Sequence, residues 1–383
     1  MKILIIANGY PNQKDPQWGC FEKDQAVALQ NLGYEIAMLY VDRRFRTYWR
    51  KIGLTRFIDS GIAVFGIFLC PAFGLGKVLP KIYCSWISLM QGIVFKSVLK
   101  HWGKPDIIFA HYLYNIAFAT ELKEKCGIPL VGIEHWSELT KRELSPLRRF
   151  WGDTAYSKAD KILAVSDSLR SHIKRHFGQD STVVYDMLGQ EFVSAPIPRH
   201  SLNDSFTFVA VGSLIQRKGY DILIEAFRQS RLSQSGCKVV IVGAGQEHEN
   251  LKSQIQRANL QGSFLLAGRK SKEEIISILA KSHAFILSSR AETFGVVCIE
   301  ALSQGLPCIA TICGGPEEFI NDGNGILIPV ENTDAMAKAM IEMYENYSKY
   351  DGLAIAKDCR KKFAPDTIAR QLTEIFTKTV SRQ

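Results

Sequence analysis

Two glutamates, Glu292 and Glu300, are separated by seven intervening residues in SSRAETFGVVCIEALSQGLPCIATICGG, with Gly305, Pro307, Gly314 and Gly315 close behind. Glu292 falls just after the strand-like run AFILSS, in the loop RAETFG, and a helix opened by Phe294 or Gly295 would carry Glu300. The two carboxylates then need not share a helical face: Glu292 projects from a strand's carboxyl end and Glu300 follows from the helix. A strand-end carboxylate suits hydroxyl recognition, because an ionised carboxylate accepts hydrogen bonds from adjacent OH groups. Solvated helices also carry glutamates at this spacing. The flanking strand, the apolar 296–299 run and the glycine turn after it are what single this pair out.

In VGSLIQRKGYDILIEAF, residues Gly212, Arg217, Lys218 and Gly219 sit between a strand and a helix, where a loop can offer cations to phosphates. A solvated surface turn would read the same. Gly314 and Gly315 precede a short helix starting near Pro316, and Gly19 holds a comparable place before CFEKDQAVALQNLG, so amides at either loop could receive an anion; ordinary turn glycines are the alternative. Gly243 and Gly245 of IVGAGQEH lack the third glycine and the acidic ribose partner of a dinucleotide fingerprint, and G-x-x-x-x-G-K-[ST] is absent. A tight strand-to-helix turn is the favoured reading there, and a nicotinamide enzyme is not.

Positioning these loops requires strands alternating with amphipathic helices. Strand-like runs cover 2–7, 35–41, 106–110, 130–134, 161–165 and 182–185, then 206–211, 238–242, 264–267, 284–288, 307–310 and 325–329, with helical stretches such as 219–231 and 271–281 between them. Continuous apolar strands alternating with helices imply parallel sheets covered on both faces. The polar segment SAPIPRHSLNDS, 194–205, separates two such series. Two domains follow, 1–198 and 199–364, with the last segment, 365–383, expected to cross back to the first. Ligands of such sheets sit beyond the strands' carboxyl ends, so the natural site is the cleft between two facing domains.

The chain of 383 residues is long enough for two cores. Its net charge of +9 is concentrated in residues 1–200, which hold 26 Lys and Arg against 18 Asp and Glu, compared with 21 against 20 in the rest. A basic half fits nucleic acid, an anionic membrane or acidic small substrates. The nine cysteines are scattered, never spaced C-x-x-C, and read as thiols in a reducing cytoplasm. MKILIIANGYPNQ reads as a first strand and not a signal peptide. The longest apolar stretch, 61–75, is broken by Pro71 and glycines and falls short of a bilayer span of roughly 18 to 20 residues. A cytoplasmic protein that touches the inner face of the membrane is the expectation.

The residues together resemble the retaining glycosyltransferases of family 4, the group 1 glycosyl transferases, many of which make bacterial surface polysaccharides. The resemblance spans essentially the whole chain: VGSLIQRKGYDILIEAF, VVIVGAGQEHENL, LAGRKSKEEI, SSRAETFGVVCIEALSQGLPCIATICGGPEEFI and NGILIPVENTDAMAKAM in the second half, GCFEKDQAVAL, PDIIFAHYL, IPLVGIEHWS and KILAVSDSLR in the first. It implies an α/β protein of the GT-B class, two Rossmann-like doubly wound parallel-sheet domains facing across a cleft. It also implies a nucleotide-sugar donor bound mainly by the second domain and an acceptor bound mainly by the first. Carried over by residue, Glu300 would bind the ribose hydroxyls, Glu292 the donor sugar's hydroxyls and Lys218 the diphosphate, with Arg217 beside it. Gly314, Gly315 and Gly19 would line the sugar and phosphate pocket, Phe294 and Gly295 would belong to the same donor site, and Gly268 and Arg269 would lie beside the base. His135 in IEHWS matches the family's histidine near the reaction centre, with His111 in FAHY the lesser candidate; both stand at successive strand ends. The resemblance implies catalysis by His135, Glu292 and Lys218 without a metal or other cofactor, and a uridine diphosphate sugar is favoured over a guanosine one. Two positions depart from the family pattern: Ser213 stands where arginine is common, and Asp186 where Asn-Gly or Asn-Val is common.

DRRFRTYWRKIGLTR, 42–56, interleaves Arg43, Arg44, Arg46, Arg50, Lys51 and Arg56 with Phe45, Tyr48 and Trp49. Basic and aromatic residues together suit a membrane interface near a lipid-linked glycan acceptor. A solvated loop is the alternative, and no nucleic-acid-binding motif accompanies the run. Rival functions are a GT-B-fold sugar-nucleotide epimerase, which would release product without an acceptor, and a noncatalytic nucleotide-sugar-binding subunit.

Overall fold

Branched apolar residues in an unbroken run form a strand buried on both faces, and in β1 (Lys2–Ala7) the side chains of Ile3 to Ile6 are shut off from solvent. The computed structural model describes residues 1–45, 50–70, 79–198 and 205–382. They form two units, Met1–Tyr185 with Pro365–Gln383, and Asp186–Ala364.

The first unit adds β2 (Glu35–Asp42), β3 (Gly53–Asp59), β4 (Ile62–Phe68), β5 (Ile107–His111), β6 (Leu130–Glu134), β7 (Lys161–Ala164) and β8 (Thr182–Val183). Among the described residues its sheet runs β3-β4-β2-β1-β5-β6-β7-β8, parallel except for the β3–β4 pair. β1 lies between β2 and β5, so the strand order reverses at the β1/β5 boundary.

The hairpin β3–β4 was not among the expected strands. Residues 62–68, within the apolar stretch read as too short to span a bilayer, are an interior strand paired on both sides. Its turn, Ser60–Gly61, has φ of 52° and 81°, the left-handed pair that a two-residue hairpin loop needs. The longest apolar element is instead the helix Pro80–His101, which the sequence reading missed. Ile82–His101 is long and apolar enough to cross a membrane by length and composition. Ile87, Val94, Phe95 and Val98 are nevertheless buried, while Ile82, Leu89 and Leu99 are exposed.

The C-terminal helix Pro365–Val380 places Ile368, Leu372 and Phe376 on one buried stripe at four-residue spacing. Phe376 meets Phe109 of β5 edge-on at 5.0 Å, and the helix also contacts the helix Cys20–Asn31. The last segment of the chain thus belongs to the first unit.

The second unit contains β9 (Thr207–Val211), β10 (Lys238–Val242), β11 (Phe264–Gly268), β12 (Ala284–Leu287), β13 (Cys308–Thr311) and β14 (Gly325–Ile328), in the wholly parallel order β11-β10-β9-β12-β13-β14. Each is near its expected place. This order reverses between β9 and β12, the point at which doubly wound sheets bind ligands. The unit starts at Asp186, upstream of the segment expected as a linker. The reason is packing: Gln304 donates to the Phe192 carbonyl (3.1 Å), and Arg360 to the carbonyls of Val193 and Ala195 (2.9 Å each).

Candidate active site

In the second unit the loops leaving β9 and β12 flank the reversal of strand order and are stitched together. Lys218 Nζ donates to Glu292 Oε1 at 2.6 Å, and Ser289 Oγ donates to the same oxygen at 2.6 Å. Arg217 reaches Glu292 Oε2 at 3.3 Å and the Ala291 carbonyl at 2.6 Å. Beneath them Ser288 Oγ donates to the Lys218 carbonyl, and the Arg290 amide to the Arg217 carbonyl, both at 2.8 Å. Arg290 forks onto Asp221 (3.0 and 2.7 Å) and also holds Glu331 at 2.9 Å. Burial works against the charge on Glu292, but Lys218 and then Arg217 outweigh it and hold the carboxyl below its usual range. The three side chains carry one net positive charge.

Glycines make this closeness possible. A Cβ on Gly212 would lie 2.9 Å from the Tyr220 hydroxyl and 3.3 Å from Lys218 Cε, across the path of the lysine stem. Gly219 has φ of 64°, and a Cβ there would stand 2.0 Å from the Ser288 carbonyl oxygen. Gly243 and Gly245 of the incomplete dinucleotide fingerprint likewise serve close approach, against the carbonyls of Gly212 and Leu214.

The remaining donor-site expectations divide. Glu300 lies on the helix Val296–Ser303, with Glu292 in the loop before it, so the two carboxylates leave different elements. Gly295, at φ 94°, caps that helix. Gly268 ends β11, two strands from β9, and Arg269 follows it; the Gly268 carbonyl accepts from the Gly243 amide at 2.9 Å. Phe294 is a correction: its ring is buried against Phe319 (5.2 Å) and Phe363 (5.7 Å), so only its backbone faces the loop. The glycine turn is another. Pro316–Glu318 is a single 3-10 turn and not a helix that could hold an anion, and the Gly314 amide already donates to Glu317 Oε1 at 2.9 Å. Gly315 is required by packing, since a Cβ would lie 2.3 Å from the Phe294 carbonyl oxygen.

In the first unit the carboxyl ends of β1, β5 and β6 bring together Asn8, His111 and His135. The two imidazoles stack in parallel, with His111 Nδ1 3.2 Å from His135 Nε2, so one of these nitrogens donates to the other. Burial, then the neighbouring His135, keeps His111 far below its usual range and hence neutral at pH 7. Its buried Nε2 has no hydrogen-bond partner among the described residues. Between the strand and the next helix Tyr112 adopts φ 68° and ψ 142°, a conformation costly for a residue with a side chain. Tyr112 also packs on His135. Behind His135, the buried Glu134 accepts from the amides of His135 (3.0 Å) and Trp136 (2.8 Å) and from Tyr156 Oη (3.0 Å), which fixes the loop. Gly19 caps the helix Cys20–Asn31 at φ 80°, and its place is set by the Gly9 carbonyl, 2.3 Å from where a Cβ would be.

Of the basic-aromatic run, Arg46 and Trp49 lie outside the described residues, as does Tyr48. Arg44 and Arg50 are not the free cations expected of a membrane contact. Arg44 binds Asp42 with two nitrogens (3.2 and 3.1 Å) and lies over Trp18, and Arg50 meets the same buried Asp42 at 2.9 Å. Sequence reasoning passed over Asp42 as their counter-ion although it adjoins them. It also missed Ser289, Asp221 and Arg290, whose roles emerge only from the side-by-side placement of β9 and β12.

Residues 197–358 match the family model "Glycosyl transferases group 1", and residues 69–186 match "Glycosyltransferase Family 4". A relative named for teichuronic acid biosynthesis, the glycosyltransferase TuaC of Bacillus subtilis (strain 168), is 28% identical over 372 residues, covering 90% of each chain. Among solved structures, sucrose-phosphate synthase from Thermosynechococcus elongatus aligns with a TM-score of 0.76 at 17% identity over 100% of both chains. Anabaena HepE in complex with UDP-glucose aligns with a TM-score of 0.73 at 19% identity, over 99% of this chain and 100% of that one.

Proposed function

Because the chain belongs to the group 1 glycosyltransferases of the GT-B fold, we propose that it transfers a sugar, with retention, from a nucleotide diphosphate sugar to an acceptor hydroxyl in surface-polysaccharide synthesis. The observation that carries the donor half is the cluster of Lys218, Arg217 and Glu292 at the strand-order reversal of the second sheet. Lys218 has three N–H donors, and Glu292 occupies one at 2.6 Å. The others are available to a diphosphate, held in place beforehand by the carboxylate. Preorganised cations of this kind stabilise charge that develops on a leaving group, and no metal is needed for that role.

In this reading the bond from the anomeric carbon to the diphosphate oxygen breaks with its electron pair going to the phosphate. The acceptor oxygen bonds to the same face of that carbon, and the acceptor proton passes to the departing phosphate oxygen. Lys218 and Arg217 stabilise the diphosphate, Glu292 positions Lys218 and meets the sugar, and Glu300 meets the ribose. His135, hydrogen-bonded to neutral His111, is the first unit's candidate group for handling the acceptor. A uridine donor is favoured, as the UDP-glucose complex of the Anabaena neighbour supports. The TuaC relative supports a glycan acceptor, which we take to be lipid-linked and met at the inner face of the membrane.

Thermal unfolding with UDP, UDP-glucose, GDP-mannose and ADP-glucose tests the donor site. A uridine ligand at 100 times its dissociation constant should add about 2.7 kcal/mol of stability, and Lys218→Ala should abolish the shift. No shift with any of the four, or an unchanged shift in the variant, would remove the support for this reading.

A further inference from the structure

The arginines that follow β2 do not share one fate. Arg44 and Arg50 are bound to Asp42, and Arg44 also lies 3.4 Å from Asp15. Arg43 has aromatic neighbours instead. Its guanidinium carbon lies 4.8 Å from the centroid of the Tyr114 ring and 5.9 Å from that of Tyr83. Among the described residues no carboxylate approaches it within the 4.0 Å of an ion pair. Residues 46–49 and 71–78, which follow β2 and β4 in sequence, contain no Asp or Glu.

The rings around Arg43 are themselves fixed. The Tyr114 hydroxyl donates to Asn8 Oδ1, and its ring meets Trp136 edge-on at 5.7 Å and Trp151 at 5.8 Å. Arg43 follows β2, Asn8 follows β1 and Tyr114 follows β5, which are three adjacent strands of one sheet. All three residues therefore stand at the carboxyl edge, where open parallel sheets receive ligands. A guanidinium lying over an aromatic face keeps its N–H edge free for a bidentate bond to phosphate or carboxylate. Other cations that follow β6 have an acid within reach: Arg148 and Lys141 both hold Glu138.

We infer that Arg43 is the anion anchor of the acceptor, which carries a phosphate or carboxylate beside a ring or other apolar group covered by the Tyr83 and Trp136 rings. The inference rests on the transferase reading. It also separates Arg43, which touches substrate, from Arg44 and Arg50, which hold the fold.

Calorimetric titration of the full chain, saturated with UDP to fill the donor site, tests the assignment with three probes: glucose 1-phosphate, glucuronic acid and neutral methyl glucoside. At least one anionic sugar should bind and the neutral one should not; which anion binds identifies the acceptor's group. Arg43→Ala should weaken that binding by about 10- to 100-fold. Arg43→Lys, which keeps the charge but loses the fork, should fall between. UDP affinity and melting temperature should be unchanged in both, and if the alanine variant fails to fold, the lysine variant supplies the comparison. The assignment is overturned if neither anionic sugar binds, if neutral and anionic sugars bind alike, or if a folded Arg43→Ala protein keeps its affinity within twofold. A wild-type chain that does not bind UDP would instead count against the transferase reading.

Discussion

Replacing Glu292 by glutamine removes the negative charge between Lys218 and Arg217 while keeping the side chain's shape. Glu292 and Lys218 have side-chain exposures of 9% and 13%, whereas Arg217 is 35% exposed. Breaking a buried ion pair from one side costs about 3–5 kcal/mol, because the other charge is left uncompensated. Arg217 is open enough to water that its share is below about 1 kcal/mol. Glutamine retains one acceptor oxygen for Lys218 or Ser289, which recovers part of the loss, so we expect Glu292→Gln to cost about 2–3 kcal/mol at pH 7. The pH dependence has a definite sign. The folded carboxyl titrates below the 4.5 of a free glutamate, so its contribution is complete above that value and disappears as pH falls through the lower folded value. The gap between wild type and variant should therefore be constant from pH 7 to about pH 5 and close below about pH 4. Urea denaturation followed by far-ultraviolet circular dichroism measures the gap. All six tryptophans, at 18, 49, 86, 102, 136 and 151, precede residue 186, so tryptophan fluorescence reports the first unit separately. A gap below about 0.5 kcal/mol, within the range of an ordinary surface substitution, or one that persists unchanged below pH 4, would show that Glu292 is not a charged partner of Lys218.

Two further substitutions test the framework around the site. Gly219→Ala puts a Cβ 2.0 Å from the Ser288 carbonyl at a φ of 64°, so it should destabilise the second unit by more than about 1 kcal/mol, read from the same dichroism transition. Phe376→Ala opens a cavity against Phe109 and should cost about 3–5 kcal/mol. That loss should appear in tryptophan fluorescence; an unchanged fluorescence midpoint would mean that the terminal helix does not support the first sheet.

Strands such as β1 and β9 were legible because a run of branched residues buried on both faces has few other uses, and helices such as Lys272–Leu279 from their apolar spacing, to which the structure adds a capping box of Ser271 and Glu274. The β3–β4 hairpin was not legible, because β3 is largely exposed and its Arg56 and Phe57 continue the basic-aromatic pattern of the residues before it; only the Ser-Gly turn marked it. Glu292 and Lys218 each stood out in the sequence as candidate site residues. That they bind each other across 74 positions depends on the parallel neighbours β9 and β12, which no local pattern encodes. Phe294 misled for a related reason: a residue beside a site glutamate reads as part of the site, although the alternation of the loop turned its ring into the core.

The return of Pro365–Gln383 to the first unit has a consequence for how the chain is made. The surface of β5 that Phe376 covers is synthesised early, and its cover only after the whole second unit. Between the two lie the 179 residues of Asp186–Ala364, which at 5–20 residues per second occupy a ribosome for roughly 10 to 35 s. Throughout that interval the first unit has its strands but not the helix Pro365–Val380, so its completion must wait until that helix has left the ribosome. A chain truncated near residue 364 would be left permanently in that intermediate state, with an apolar sheet face open to chaperones or to other nascent chains.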